Sequence, residues 1–210
     1  MPKSKATPRF AYGVGASASA APPYGVDALL DQTWAMQEVQ GNLLQHDADV
    51  LVQQCNCVTR RPLGLSAAIA AQLGVNPYAE RSGAGSVADA ASSVVPGTIS
   101  LHAVPNDPSG RRVACLYAQY APGSARKIYP VYERVKQERG IQETPQLREQ
   151  WFAACLAALA VELDRLALRR VALPHGIGCG LAGGAWPRYR AMIEAWAAQH
   201  PRLQVTVVKI

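Results

Sequence analysis

The feature that most restricts this chain is a ten-residue stretch with five glycines, His175-Gly-Ile-Gly-Cys-Gly-Leu-Ala-Gly-Gly184. An apolar run, Arg170-Val-Ala-Leu-Pro174, leads into it, and a helical pattern from Pro187 to Gln199 follows. Glycine permits positive φ and close approach of main chain to a ligand. Free N–H groups beside a helix N-terminus form a cradle for phosphate oxygens. Strand, glycine turn and helix in that order therefore predict an anion-binding loop within an α/β fold. Gly178 to Gly183 also satisfies G-x-G-x-x-G, the dinucleotide-fold pattern. Context excludes that reading. Only one strand, Leu203 to Ile210, remains after the loop. The acidic ribose-binding residue expected about 20 positions on is also missing from Val205-Thr-Val-Val-Lys-Ile210.

Other segments fill in an alternating pattern. Trp34 to Val39 reads as a strand that ends at Gly41-Asn42, and Asp49 to Gln54 as a buried strand. Leu65 to Leu73 has helical spacing with Gly74 as its stop. Residues 76–96 are rich in Ala, Ser and Gly and predict a loop with a broken helix. Gly97 to Val104 and Val113 to Gln119 predict two strands around the turn Pro105 to Gly110. Residues 120–144 read as a polar connection. Thr144 and Pro145 are an N-cap and first helical residue, and the helix that follows to Leu166 is expected to bury Leu147, Trp151, Cys155, Leu156, Leu159 and Leu163. Such alternation argues for an α/β fold with a mixed, mostly parallel sheet covered on both faces.

Composition narrows the class without choosing a ligand. Of 210 residues, 49% are apolar and the net charge is +6, which suits an anionic partner. No run approaches the roughly 18 apolar residues of a membrane span, so a soluble, intracellular protein is expected. The cysteines, Cys55, Cys57, Cys115, Cys155 and Cys179, are odd in number and form no Cys-x-x-Cys pair. They read as free thiols, and no metal site or cofactor is expected. Residues 1–33 are rich in Ala, Pro, Gly and Ser and are expected to be a disordered tail before a domain over 34–210.

A second loop complements the first. Cys55-Asn56-Cys57-Val-Thr-Arg60-Arg61-Pro-Leu-Gly64-Leu-Ser66 follows the second strand and enters a helix. Gly64 or Ser66 could begin that helix, with Arg60 and Arg61 supplying positive charge near an anion. Gly41-Asn-Leu-Leu44 with Asp49-Val-Leu-Val-Gln-Gln-Cys-Asn56 resembles the opening motif of the macrodomain family. Leu173 to Trp186 resembles its diphosphate loop, P-x-I-G-C-G-L-x-x-x-x-W. The likeness covers Trp34 to Ile210. Its nearest branch is the one with terminal ADP-ribose protein glycohydrolase and the ADP-ribose-1″-phosphate phosphatases.

The resemblance implies a three-layer α/β/α sandwich that takes ADP-ribose, free or attached to a macromolecule. Asn42, with Leu43, stands where the family has its adenine-binding aspartate, and Asn56 matches the asparagine at the distal ribose. Arg61, Gly64, Leu65 and Ser66 would line one side. Gly176, Ile177, Gly178, Cys179, Gly180, Leu181 and Ala182 would wrap the diphosphate. Gln119 or Tyr120, and Ala182, occupy the places of that branch's lysine and aspartate, so its covalent mechanism does not transfer. The first expectation is hydrolysis at the distal ribose 1″ position with Asn56 and His175 as catalytic groups; Cys179 reads as a small filler. A non-catalytic ADP-ribose reader is the alternative. Nucleic-acid binding through Arg126 to Arg139, with Tyr129 and Tyr132 stacking on bases, is the lesser one.

Overall fold

Alternating apolar strands and glycine- or proline-bounded helices assemble, in a computed structural model describing residues 36–89 and 91–210, into one six-stranded sheet with helices on both faces. The strands are β1 (Gln37–Gln40), β2 (Val50–Asn56), β3 (Ile99–Ala103), β4 (Arg112–Gln119), β5 (Arg170–Pro174) and β6 (Gln204–Lys209). The helices are α1 (Leu65–Leu73), α2 (Pro130–Glu138), α3 (Pro145–Arg165) and α4 (Trp186–Gln199). Sheet order is β1-β6-β5-β2-β4-β3, and only β3 runs antiparallel to its neighbour. The expected tail and the start of the expected first strand, Trp34 and Ala35, lie outside the described residues.

Side-chain alternation on the strands divides the core. Val50 and Val52 of β2, Ala114 and Leu116 of β4, and Val205 and Val207 of β6 face α3 and α4, where Phe152, Leu159 and Ile193 complete a buried layer. Leu51, Cys55, Val113 and Cys115 face the opposite layer, with Ile69 of α1 and Val135 of α2. The three-layer sandwich is therefore observed. Among the described residues, no helix is long and apolar enough to cross a membrane.

Local sequence explains the helix ends. Thr144 Oγ1 accepts from Leu147 N at 3.1 Å, with Pro145 in the first turn. Gly74 closes α1 in the left-handed conformation, φ +67°. Three expectations need correction. Residues 120–144 contain a helix, α2. The described residues of 76–96 contain turns and no helix. On α3 the buried face begins with Arg148 and Phe152, while Leu147 and Trp151 are half-buried; Cys155, Leu156, Leu159 and Leu163 are buried as expected.

Candidate functional site

Parallel β2, β4 and β5 end at the same edge of the sheet, so the chain segments leaving them converge there. In open α/β sheets this is where ligands sit, outside the carboxyl ends of the strands. The three segments enclose a cleft of about 350 Å³. Asn56, Arg61, Gly64, Leu65 and Ser66 line one wall; Gln119, Pro122 and Gly123 contribute another; His175 to Gly178 and Gly180 to Ala182 form the third. A larger groove of about 450 Å³ lies at the opposite edge, beside Val161, Arg169 and Pro201. It lacks the glycine turns, and the chemistry favours the smaller cleft.

The turn after β2 is built around one carboxamide. Asn56 Oδ1 accepts from Val58 N at 3.1 Å, Thr59 N at 2.7 Å and Thr59 Oγ1 at 2.9 Å. Three donors on one oxygen fix the orientation of the amide. Its Nδ2 makes no hydrogen bond with the described residues, so toward the cleft Asn56 is a donor and not a base. Gly64, at φ +57°, opens α1 without a side-chain cap. Ala67 N and Ala68 N both donate to Gly64 O, which leaves the N–H groups of Leu65 and Ser66 without protein acceptors.

The glycine turn presents a second set of donors. Ile177 N, Cys179 N, Gly183 N and Gly184 N bond within the turn, whereas the N–H groups of Gly176, Gly178, Gly180, Leu181 and Ala182 have no acceptor among the described residues. Gly178, at φ +73°, is obligatory on two counts: a Cβ there would lie 2.6 Å from both Gln54 Oε1 and Tyr189 Cε1. Gly184 is as tightly held, since its Cβ would meet Gly178 O at 2.6 Å.

Buried ion pairs hold these walls in place. Arg148 Nη1 donates to Gly123 O at 2.7 Å and to Ala182 O at 3.0 Å, and Nη2 donates to Ala121 O at 2.9 Å. Its Nε donates to Glu143 Oε1 at 2.8 Å, and Glu143 also accepts from Tyr120 N at 2.6 Å. One guanidinium thus ties the turn after β5 to the turn after β4. Gln119 reaches the cleft, where Gln54 Nε2 donates to its Oε1 at 2.9 Å; Tyr120 packs into the core. The place of the lysine in the resemblance is therefore taken by a neutral amide.

Not every expected residue joins the cleft. Asn42 is exposed outside the lining, and its Oδ1 caps a short 3₁₀ turn by accepting from Leu44 N at 3.0 Å. Leu43 is 4% exposed and packs in the core. Arg61 is exposed, lines the cleft and has no side-chain partner among the described residues, while Arg60 turns away to Arg81 O and Gly85 O. His175 lines the cleft with its ring 4.6 Å from that of Trp186. No carboxylate or lysine lines it. Tyr129 lies against Gly123, and Tyr132 packs against the core; both rings are half-buried.

Cys179 lies behind the turn, its Sγ donating to Ile177 O at 3.3 Å. Burial pushes its thiol up to about 11. At pH 7.5 the thiolate, which is the reactive form, is thus a very small fraction. We expect Cys179 to resist iodoacetamide at pH 7.5 under conditions that alkylate an exposed thiol, and mass mapping of a timed reaction checks this. Rapid labelling would overturn the filler role. Among the described residues, no group of three or more His, Cys, Asp and Glu could hold a metal ion.

No family model matches the sequence, and no curated protein matches it. Solved structures do. The macrodomain of Mycobacterium tuberculosis DarG is similar at a TM-score of 0.57 and 16% identity, covering 83% of this chain and 96% of its own. The macrodomain of Thermus aquaticus DarG gives 0.55 and 19%, with the same coverage of 83% and 96%. An Oceanobacillus iheyensis macrodomain with ADP gives 0.55 and 15%, covering 83% of this chain and 82% of its own. With its mostly parallel six-stranded sheet between two layers of helices, the chain has the macrodomain fold.

Proposed function

We propose that the cleft binds ADP-ribose, with the diphosphate against the two sets of free main-chain N–H groups and the distal ribose beside Asn56 Nδ2. The observation that carries this is the convergence of unpartnered donors from the α1 N-terminus and the glycine turn on one cleft that has no carboxylate in its lining. Charge-assisted bonds to such preset donors are the strong class. Relatives in fold support the ligand, since Oceanobacillus iheyensis macrodomains are described with ADP-ribose and with ADP. Calorimetric titration of the full chain with ADP-ribose tests it; absence of binding at millimolar concentration would remove the reading.

Hydrolysis at the distal ribose 1″ position is the finer proposal. Its residues would be Asn56, donating to a ribose hydroxyl, and His175, whose imidazole lines the cleft. A product assay on ADP-ribose 1″-phosphate and on ADP-ribosylated protein separates turnover from binding alone. Binding without turnover is the alternative, favoured by Gln119 and Ala182 in the places where the resemblance has lysine and aspartate.

Asn56→Asp gives a sharp test of the donor assignment. The carboxylate keeps an acceptor for Val58 N and Thr59, so the turn survives, but its second oxygen replaces a donor with negative charge. ADP-ribose affinity is expected to fall about 100-fold, equivalent to about 2.7 kcal/mol, with little change in thermal midpoint. Equal affinity would mean that Asn56 does not face the ligand.

A further inference from the structure

Residues 76–96 read as featureless in the sequence, yet they place a cation behind the cleft. Arg81 is 5% exposed. Its Nη2 donates to Asn56 O at 3.0 Å and its Nη1 to Thr59 O at 2.7 Å, so one fork grips both ends of the Asn56 turn. The guanidinium carbon sits 4.5 Å from the Tyr78 ring centroid and 5.7 Å from that of Tyr117. Among the described residues, no carboxylate pairs with it and its Nε has no hydrogen-bond partner.

The surrounding chain is shaped to hold this group. Arg60 Nε donates to Arg81 O at 3.1 Å, Arg60 N to Ser86 O at 3.1 Å, and Ala88 N to Val58 O at 2.7 Å. The segment carrying Arg81 is thus laced to the turn that Arg81 itself clamps. Burying a guanidinium without a counter-ion is costly, and carbonyl dipoles and aromatic faces compensate only part of it. The charge is left to act on whatever occupies the cleft, because Asn56 and Tyr78, which Arg81 touches, both line it.

We propose that Arg81 is the positioning residue of this cleft: it aims Asn56 Nδ2 at the ligand and sets positive charge behind the anion cradle. The inference rests on the ADP-ribose reading above. Arginine does both jobs. Lysine would keep the charge but lose the fork, and methionine would keep bulk alone.

The test uses the full chain as wild type, Arg81→Lys and Arg81→Met. It measures affinity for ADP-ribose by calorimetry and, without ligand, the nitrogen-15 NMR signal of the Asn56 side-chain amide. Arg81→Met is expected to bind at least about 10-fold more weakly, with the Asn56 signal displaced. Arg81→Lys should recover about threefold of that loss through its charge, and no more than half of it on a logarithmic scale. Wild-type affinity in Arg81→Met, or an Asn56 signal unmoved in both variants, would overturn the inference. Should the methionine variant not fold, wild-type affinity in Arg81→Lys overturns it and a loss of about threefold or more supports it. A wild type that ignores ADP-ribose defeats the functional reading instead, and the Asn56 signal then decides whether Arg81 still positions the amide.

Discussion

Gly178→Ala is expected to lower the thermal midpoint by about 6–12 °C and to abolish ADP-ribose binding. Two costs add. An alanine at φ +73° occupies the left-handed region, at roughly 1–2 kcal/mol. Its Cβ would also sit 2.6 Å from the Gln54 side chain, held by Gln119, and from the Tyr189 ring, held in the core, and such overpacking costs roughly 1–3 kcal/mol. A total of about 3 kcal/mol corresponds, in a chain of this size, to about 2–4 °C for each kcal/mol. Binding fails because the whole turn must shift to admit the methyl group, and its free N–H groups shift with it.

Neighbouring glycines provide the controls for that argument. Gly176→Ala meets nothing within 4 Å but keeps a φ of +69°, so only the conformational cost of about 1–2 kcal/mol remains. Gly180→Ala has open space and no positive φ, and its midpoint should stay within about 2 °C of wild type. Differential scanning calorimetry of the three variants checks the order 178, then 176, then 180. If Gly180→Ala proved as damaging as Gly178→Ala, the close approach at Gly178 would not be the cause.

The parts of the site that sequence exposes are those where local chemistry speaks. Arg170–Pro174 and Leu65–Leu73 are legible as elements because apolar spacing and a terminal glycine or proline mark them. Asn56 is legible as an oddity at the end of an apolar strand, and the glycine turn as a density of one residue type. Arg81, Glu143 and Arg148 are not, because a buried charge looks the same in sequence as a solvated one. Many of its partners are main-chain groups far off in sequence, as Gly123 is from Arg148 at 25 positions. Helix α2 is hard to read for a different reason. Its apolar positions, Val131, Tyr132 and Val135, are too few to show a period, although Pro130 at the start, Glu133 in the first turn and Lys136 in the last are signals of a helix. Asn42 shows a role that the resemblance does not carry: its position just before Leu43-Leu44 gives its oxygen to a cap.

Arg148→Met should be the most damaging single change outside the apolar core. Removing the guanidinium strands Glu143, whose side chain is 0% exposed, with Lys136 Nζ at 3.6 Å as its remaining cationic partner. It also leaves Ala121 O, Gly123 O and Ala182 O without that donor. Breaking a buried pair from one side costs about 3–5 kcal/mol, because an uncompensated charge remains, whereas the intact pair adds little net stability over apolar residues of similar size. The network is better understood as a specifier of geometry: one nitrogen, Arg148 Nη1, sets the spacing between Gly123 and Ala182 across the cleft. Chemical denaturation of Arg148→Met, Glu143→Gln and the double variant tests this. The double variant is expected to be less destabilised than the sum of the singles by at least about 1 kcal/mol, as groups in one network are. Strict additivity would mean that the two side chains act separately, and the spacing of the cleft walls would then need another cause.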